Sequence, residues 1–285
     1  MKKTLLLGAA LGIFVATVSA HGADLANEET PPSAPMVEPV YNWTGFYIGG
    51  DIGGYGANQS ATTTAFPAGF GAPAVSGAGF AGIGILPTSH SLDRSGFLGG
   101  VHAGYNWQAA PNWLLGVEGS ALWLGGSASD TKTTFDTFAG TRSDGSMTLS
   151  TDNDSYLASI RARVGLVRGQ WMVYATGGPA WTNTRTTATW TPIPGALSPA
   201  PSASTASFGG TKTGFAIGAG GEWMLSQHWL LRAEYMYYAF NGVSGDLPFT
   251  VGGSNGCTPA GTCGWNASSS NLHFNTGLVG LSYKF

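Results

Sequence analysis

The chain has 285 residues and a formal net charge of -3, and only 9% of it is Asp, Glu, Lys or Arg, against about 25% in ordinary soluble domains. A nucleic-acid binder would show clustered basic residues, and a chain with 12% aromatic residues is not a disordered polyelectrolyte. Its 45 glycines follow no period of three, which excludes a collagen-like repeat.

In chain order, Met1-Lys2-Lys3 gives a basic start, Leu5 to Val18 an apolar stretch, and Val18-Ser19-Ala20 the small residues of a cleavage site. This predicts a secretory signal peptide over 1–20, the apolar run being too short for a membrane span. Residues 21–42 follow as a Pro-rich, acidic leader, including "DLANEETPPSAPMVEPV". From 43 to 285 the chain alternates between period-2 segments and long stretches of Gly, Ser, Thr, Ala and Pro. Eight alternating segments are expected, over 43–55, 96–108, 112–124, 155–168, 170–182, 213–225, 228–240 and 271–285.

Short and long connections alternate between these segments. "QAAPN", "VRGQ" and "MLSQH" are of hairpin length, whereas the other connections run to roughly 25–40 residues, far beyond ordinary loops. With an even number of up-and-down strands, all short turns fall at one end and all long connections at the other, as in outer-membrane barrels. The stretches 57–95, 125–154, 183–212 and 241–270 read as polar external loops. An internal repeat aligns "NWQAAPNWLLGVEG" (106–119) with "EWMLSQHWLLRAEY" (222–235). Trp43, Trp107, Trp113, Trp171, Trp223 and Trp229 fall beside the short-turn ends, where a membrane interface attracts amphipathic rings.

Each segment has a greasy and a polar face. Residues 156–166 set Tyr156, Ala158, Ile160, Ala162, Val164 and Leu166 against Ser159, Arg161, Arg163 and Gly165. Glycine is frequent on the polar faces. A water-facing strand position gains nothing from glycine, whereas the interior of a small barrel needs small side chains among large ones. The polar faces are therefore expected inside. Reversing residues 155–168 would turn Arg161 and Arg163 to lipid at about 2–4 kcal/mol each near the midplane.

The inward charges are then Asp51, Glu118, Glu222 and Glu234 against Arg161, Arg163, Arg232 and Lys284. They are expected to form a salt-bridged network filling the lumen, with Tyr47, His102, Gln170 and Tyr174 as polar company. Leu98, Leu122, Leu157 and Met224 also face inward, as filler, and Pro179 implies a bulge or strand end. The predicted fold is all-β: an eight-stranded antiparallel up-and-down transmembrane β-barrel, just wide enough for side chains to fill. Cys257 and Cys263, close together in an exported chain, are expected to pair as a disulfide.

The segments "NWTGFYIGGDIGGYG" (42–56), "SYLASIRARVGLVRGQWMVYATGGPAW" (155–181), "WLLRAEYMYYAF" (229–240) and "TGLVGLSYKF" (276–285) resemble small outer-membrane barrels. These are the porin-family or outer-membrane immunogenic proteins, related to the OmpA membrane domain and the opacity proteins. The resemblance covers about 43–285 apart from the long loops. It implies that the terminal Phe285 is the signal read by the barrel assembly machinery, and it implies residence in the outer membrane of a Gram-negative bacterium. Unlike OmpA, no peptidoglycan-binding domain is expected after the barrel.

Two functions follow from this reading. The first is a structural or surface-interaction barrel whose lumen is closed by charge, surrounded by outer-membrane lipid and lipopolysaccharide. The alternative is a narrow porin-like channel for ions or small solutes. No enzyme activity, cofactor or metal is expected. A lipid-face hydrolase needs Ser beside His and an acid or amide, and His273 and Asn275 have no Ser on their strand face. His21, His90, His102 and His228 form no cluster in sequence.

Overall fold

The computed structural model describes residues 41–66, 88–135, 143–151, 156–192, 203–242, 244–248 and 264–285. The expected signal peptide, nearly all of the expected leader, Cys257 and Cys263 lie outside the described residues. Fourteen strands run in chain order: β1 (Gly45–Asn58), β2 (Ser60–Phe66), β3 (Thr88–Ser91), β4 (Arg94–Ala110), β5 (Trp113–Leu124), β6 (Ala128–Phe135) and β7 (Ser143–Thr151). They continue with β8 (Tyr156–Arg168), β9 (Trp171–Pro192), β10 (Ser204–Met224), β11 (Trp229–Phe240), β12 (Ser244–Pro248), β13 (Gly264–Ser269) and β14 (Leu272–Lys284).

The strands form a ten-stranded sheet in the order β10-β11-β14-β1-β4-β5-β8-β9-β7-β6 and a four-stranded sheet in the order β12-β13-β2-β3. β9 also pairs with β10 along its length. Eight strands therefore make a ring of pairings, and the sheet continues beyond it through β7 and β6. The expected eight-stranded up-and-down barrel is corrected by this topology. The described residues form fourteen strands in two sheets, and the large sheet does not simply close on itself but branches at β9.

The correction has a physical cause. The Ser/Thr-rich stretches read as loops hide an alternation of their own, with hydroxyl residues on one side and Met147, Leu149, Ala188, Trp190, Ala206 and Phe208 on the other. Thr is also a good strand former. β9 consequently runs to Pro192 and β10 begins at Ser204. Ala61, Leu92, Met147, Leu149, Ala188 and Trp190 bury one another, with Ala206 and Phe208 packed against them, in a core of their own. Hydroxyl pairs bridge the other face: Thr131 to Thr148, Thr187 to Ser207 and Thr189 to Thr205, at 2.9, 3.0 and 3.2 Å.

Short turns connect β4 to β5, β8 to β9 and β10 to β11. At the second, Gly169 has φ 59°, a left-handed conformation that side chains disfavour. Pro179 neither ends β9 nor shifts its register. Pairing with β8 skips Gly178 and Pro179, opposite Ile160 and Arg161, and resumes at Ala180.

Around the ring, the outward positions carry the bulky apolar side chains. Phe97, Ile52, Ile160, Val173, Phe215 and Ile217 are each more than half exposed. The inward positions are stacked in layers. Trp43, Leu114, Val167, Met172, Tyr174, Met224 and Leu230 cluster beside the short turns. Tyr55, Leu98, Leu122, Leu157, Met236, Tyr238, Phe240 and Phe274 belong to a second cluster toward the long connections. Between these two lie the charges.

Candidate functional site: a buried charge network

Seven ionisable side chains from five strands meet inside the ring: Asp51 from β1, Glu118 from β5, Arg161 and Arg163 from β8, Glu222 from β10, and Arg232 and Glu234 from β11. None is more than 4% exposed. The strand registers bring them level. Glu118 stands opposite Arg161, Glu222 opposite Arg232, and Asp51 and Arg232 both opposite Gly280. Period-2 alternation then turns every one of them inward.

Glu118 is the hub. Its carboxylate accepts from Arg161 Nη2, from Arg163 Nη1 at 3.2 Å, from Arg232 Nη1 at 2.8 Å and from the Tyr47 hydroxyl at 2.8 Å. Arg232 grips Asp51 with two donors, Nε at 2.9 Å and Nη2 at 3.0 Å. Arg161 reaches Glu234 at 2.9 Å, and Arg163 donates to Glu222. Tyr174 donates to Glu234 at 2.8 Å, and the Arg163 guanidinium lies 3.8 Å from the Tyr174 ring centroid. Planar guanidiniums with several fixed donors suit such shared pairing. An isolated buried ion would cost several kcal/mol, so the carboxylates and guanidiniums stabilise one another only as a set.

His102 extends the network. Its Nδ1 donates to Asp51 at 2.7 Å, and its Nε2 is bonded to the Ser282 hydroxyl at 2.7 Å. This is the hydrogen-bond order of a hydrolase relay. Ser282 is only 1% exposed, however, and the link holds β1, β4 and β14 together. Ser282 and Met236, whose sulfur lies 2.8 Å from Arg161 Nη1, are members that the sequence reasoning missed. Their one signal was inward parity on β14 and β11.

The inward glycines make room for this company. A Cβ on Gly49 would stand 2.6 Å from the His102 ring, and one on Gly220 would stand 2.6 Å from the Tyr174 hydroxyl. Gly104 and Gly280 likewise face Tyr47 and Asp51.

Three residues are placed differently from expectation. Lys284 is buried but stands apart from the network, nearer the short-turn rim, where its Nζ donates to the Thr44 carbonyl at 3.5 Å. Gln170 sits in the β8–β9 turn and bonds to Tyr41 and to Trp223 Nε1 at 2.5 and 3.0 Å. Trp43 is fully buried rather than on the rim: its indole donates to the Gly169 carbonyl at 3.1 Å and caps the apolar layer from below. Trp107, Trp113, Trp171, Trp223 and Trp229 do lie outward. Phe285 is outward too, its ring edge-on to Tyr283 and its amide bonded to the Phe46 carbonyl at 2.9 Å. Among the described residues no three His, Cys, Asp or Glu side chains are grouped to hold a metal ion.

An outward apolar belt around an inward polar core is the inverse of a water-soluble fold. Residues 13–285 match the family described as outer membrane protein beta-barrel domain. The chain belongs to that family. It is 30% identical to the 31 kDa outer-membrane immunogenic protein of Brucella melitensis biotype 1 over 293 residues, covering 99% of this chain and 100% of that protein. The protein of the same name from Brucella suis biovar 1 gives the same figures. Among solved structures, the Yersinia pestis attachment invasion locus protein Ail, in complex with the heparin analogue sucrose octasulfate, is 14% identical. That match covers 85% of this chain and 99% of Ail, with a TM-score of 0.34. The Escherichia coli outer membrane protease OmpT is 9% identical over 84% of this chain and 97% of its own, with a TM-score of 0.43. Family membership places this chain in the outer membrane of a Gram-negative bacterium.

Proposed function

We propose that the protein is a structural and surface-interaction component of the outer membrane whose interior does not conduct. The observation that carries this reading is the layering inside the ring. Seven paired charges, none more than 4% exposed, lie between two apolar clusters. A water path would have to cross both clusters and dissolve the pairs between them. On this reading the outward apolar belt meets lipid and lipopolysaccharide, and the long-connection end, with β2, β3, β6, β7, β12 and β13, faces the cell exterior. Residues 1–20 act as the export signal, residues 21–42 as a leader, Cys257 and Cys263 as a disulfide pair, and Phe285 as the mark read by the assembly machinery.

The alternative is a narrow channel for ions or small solutes. Planar-bilayer recording of the refolded protein separates the two: the proposal expects no discrete conductance steps. It also expects Glu222→Gln to change stability while leaving the membrane silent. Steps whose size follows the charge at Glu222 would overturn it.

A further inference from the structure

Beyond the ring, β6, β7 and the far halves of β9 and β10 continue as four paired strands whose outward face repeats one kind of side chain. Thr131 of β6, Thr148 of β7, Thr189 of β9 and Thr205 of β10 stand in one register row. Two residues nearer the ring on β9, Ser129, Ser150, Thr187 and Ser207 form a second row. Strand geometry sets these residues about 4.8 Å apart across each row and about 7 Å apart along the strands. All eight side chains are exposed or half-buried. The rows are already ordered, since Thr131 is bonded to Thr148, Thr187 to Ser207 and Thr189 to Thr205. A hydroxyl carries one donor and two acceptor sites, so each pair keeps one O–H and several lone pairs unspent. A face fixed in this way loses little freedom when something binds to it. It is also poor in charge. Among its described side chains Arg185 is the one charged group, whereas an ordinary soluble surface is about a quarter to a third Lys, Arg, Glu and Asp.

The position of the face points to its partner. On the same side of β9, between the rows and the ring, stand Arg185, Asn183 and Trp181. Trp181 pairs with Thr213, beyond which the outward side chains of β10 turn apolar with Phe215 and Ile217. Six residues separate Trp181 from Thr187, about 20 Å along the strand and about 15 Å in height at the tilt of barrel strands. We infer that this hydroxyl face, with Trp181, Asn183 and Arg185, is a docking surface for the saccharide part of lipopolysaccharide, the glycolipid of its own outer leaflet. The face is continuous with the outward apolar belt on the same strands, so the groups beside it are the sugars of neighbouring lipids. Sugar hydroxyls match a neutral lattice that both donates and accepts. The indole offers a sugar ring a flat apolar surface with a polar N–H, and the Arg185 guanidinium suits a phosphate or carboxylate on the sugars nearest the membrane. The inference rests on the proposed function in placing the long-connection end outside the hydrocarbon, and it is independent of whether the interior conducts.

The test is titration of the full chain, refolded in nonionic detergent micelles, with lipopolysaccharide and separately with lipid A, which lacks the outer sugars. Lipopolysaccharide is expected to bind about tenfold or more tightly than lipid A. Thr187→Val together with Thr189→Val removes one hydroxyl from each row and keeps strand-favouring side chains. This pair should weaken lipopolysaccharide binding about tenfold and leave lipid A binding unchanged, while Ser226→Ala in the β10–β11 turn changes neither. Equal binding of the two lipids, or lipopolysaccharide binding undiminished by the double substitution, overturns the inference. Self-association that the double substitution abolishes, without preference for lipopolysaccharide, would assign the face to a second copy and overturn it as well. A thiol label separates this failure from failure of the proposed function. Arg185→Cys, in a chain carrying Cys257→Ser and Cys263→Ser, should react with a water-soluble maleimide in phospholipid nanodiscs. A protected thiol would put the face in hydrocarbon and overturn both readings; a labelled thiol beside failed lipopolysaccharide binding overturns this inference alone.

Discussion

The lower and upper halves of the β9–β10 hairpin are the same two strands in the same register, from Trp171 opposite Trp223 to Trp190 opposite Ser204, yet their polarity inverts. In the lower half the outward side chains are apolar (Val173, Phe215 and Ile217) and the inward ones include Tyr174 and Glu222. In the upper half the outward side chains are Asn183, Arg185, Thr187, Thr189, Thr205 and Ser207, and the inward ones, above a rung of Thr182, Thr184 and Thr186, include Ala188, Trp190 and Phe208. A strand has no intrinsic inside; what changes along the hairpin is the medium around it. The switch falls near the row that pairs Trp181 with Thr213, with an indole at the boundary as membrane interfaces favour. On the proposed function, hydrocarbon surrounds the sheet below that row and polar groups retreat inward. Above it water does, and the ordinary hydrophobic core returns.

The strongest way to break this contrast is to remove a charge from the lower interior. Arg161→Ala leaves Glu118 and Glu234 short of a partner in a buried setting and should cost about 3–5 kcal/mol. Arg185→Ala, on the outer face of the upper half, should change stability by less than about 0.5 kcal/mol. Equilibrium urea unfolding in lipid vesicles reads both; equal losses would mean that the two halves share one environment.

An arginine scan along the outward face sharpens the boundary. Phe215→Arg should cost up to about 2–4 kcal/mol, depending on its depth in the bilayer. Thr205→Arg, ten residues earlier on the same strand face, should cost close to nothing, measured in the same vesicles. A large cost at Thr205 would move hydrocarbon up into the hydroxyl-bearing region.

The smallest effect concerns the four-stranded sheet. His90 on β3 is buried, with Asp130 of β6 3.7 Å from its Nδ1. Burial is the larger influence and lowers its proton affinity below the ordinary value of 6.5, while the Asp130 carboxylate opposes it. The unfolded chain therefore takes up the proton first. The stability held by neutral His90 is complete above about pH 6.5 and declines as pH falls through the lower folded value. His90→Gln should flatten that acid decline, followed by hydrogen exchange of the β2 and β3 amides. A slope unchanged by the substitution would show that His90 is not responsible.

Much of the site was legible because it rests on period 2. Once one residue of a strand is assigned a face, all the others follow, so Arg161, Arg163, Glu222, Arg232 and Glu234 could be turned inward from the sequence alone. The repeat that aligns Glu118 with Glu234 and Leu114 with Leu230 announced two hairpins doing the same work. Both glutamates in fact receive Arg161, and both leucines lie in the lower apolar layer. Depth was harder to read. Lys284 has the right parity but lies two residues nearer the rim than Ser282, beyond reach of the network. Gln170 has the right neighbours but belongs to a turn, and Trp43 folds under the short-turn end instead of resting on it.

The sequence by itself determined which side of each ring strand carries the bulky groups, because alternation and the cost of a misplaced arginine are local matters. Only the tertiary structure settled which charges meet and that β9 continues upward to hold β7. Those outcomes depend on cross-strand register and on contacts between residues far apart in the chain, which no local pattern records.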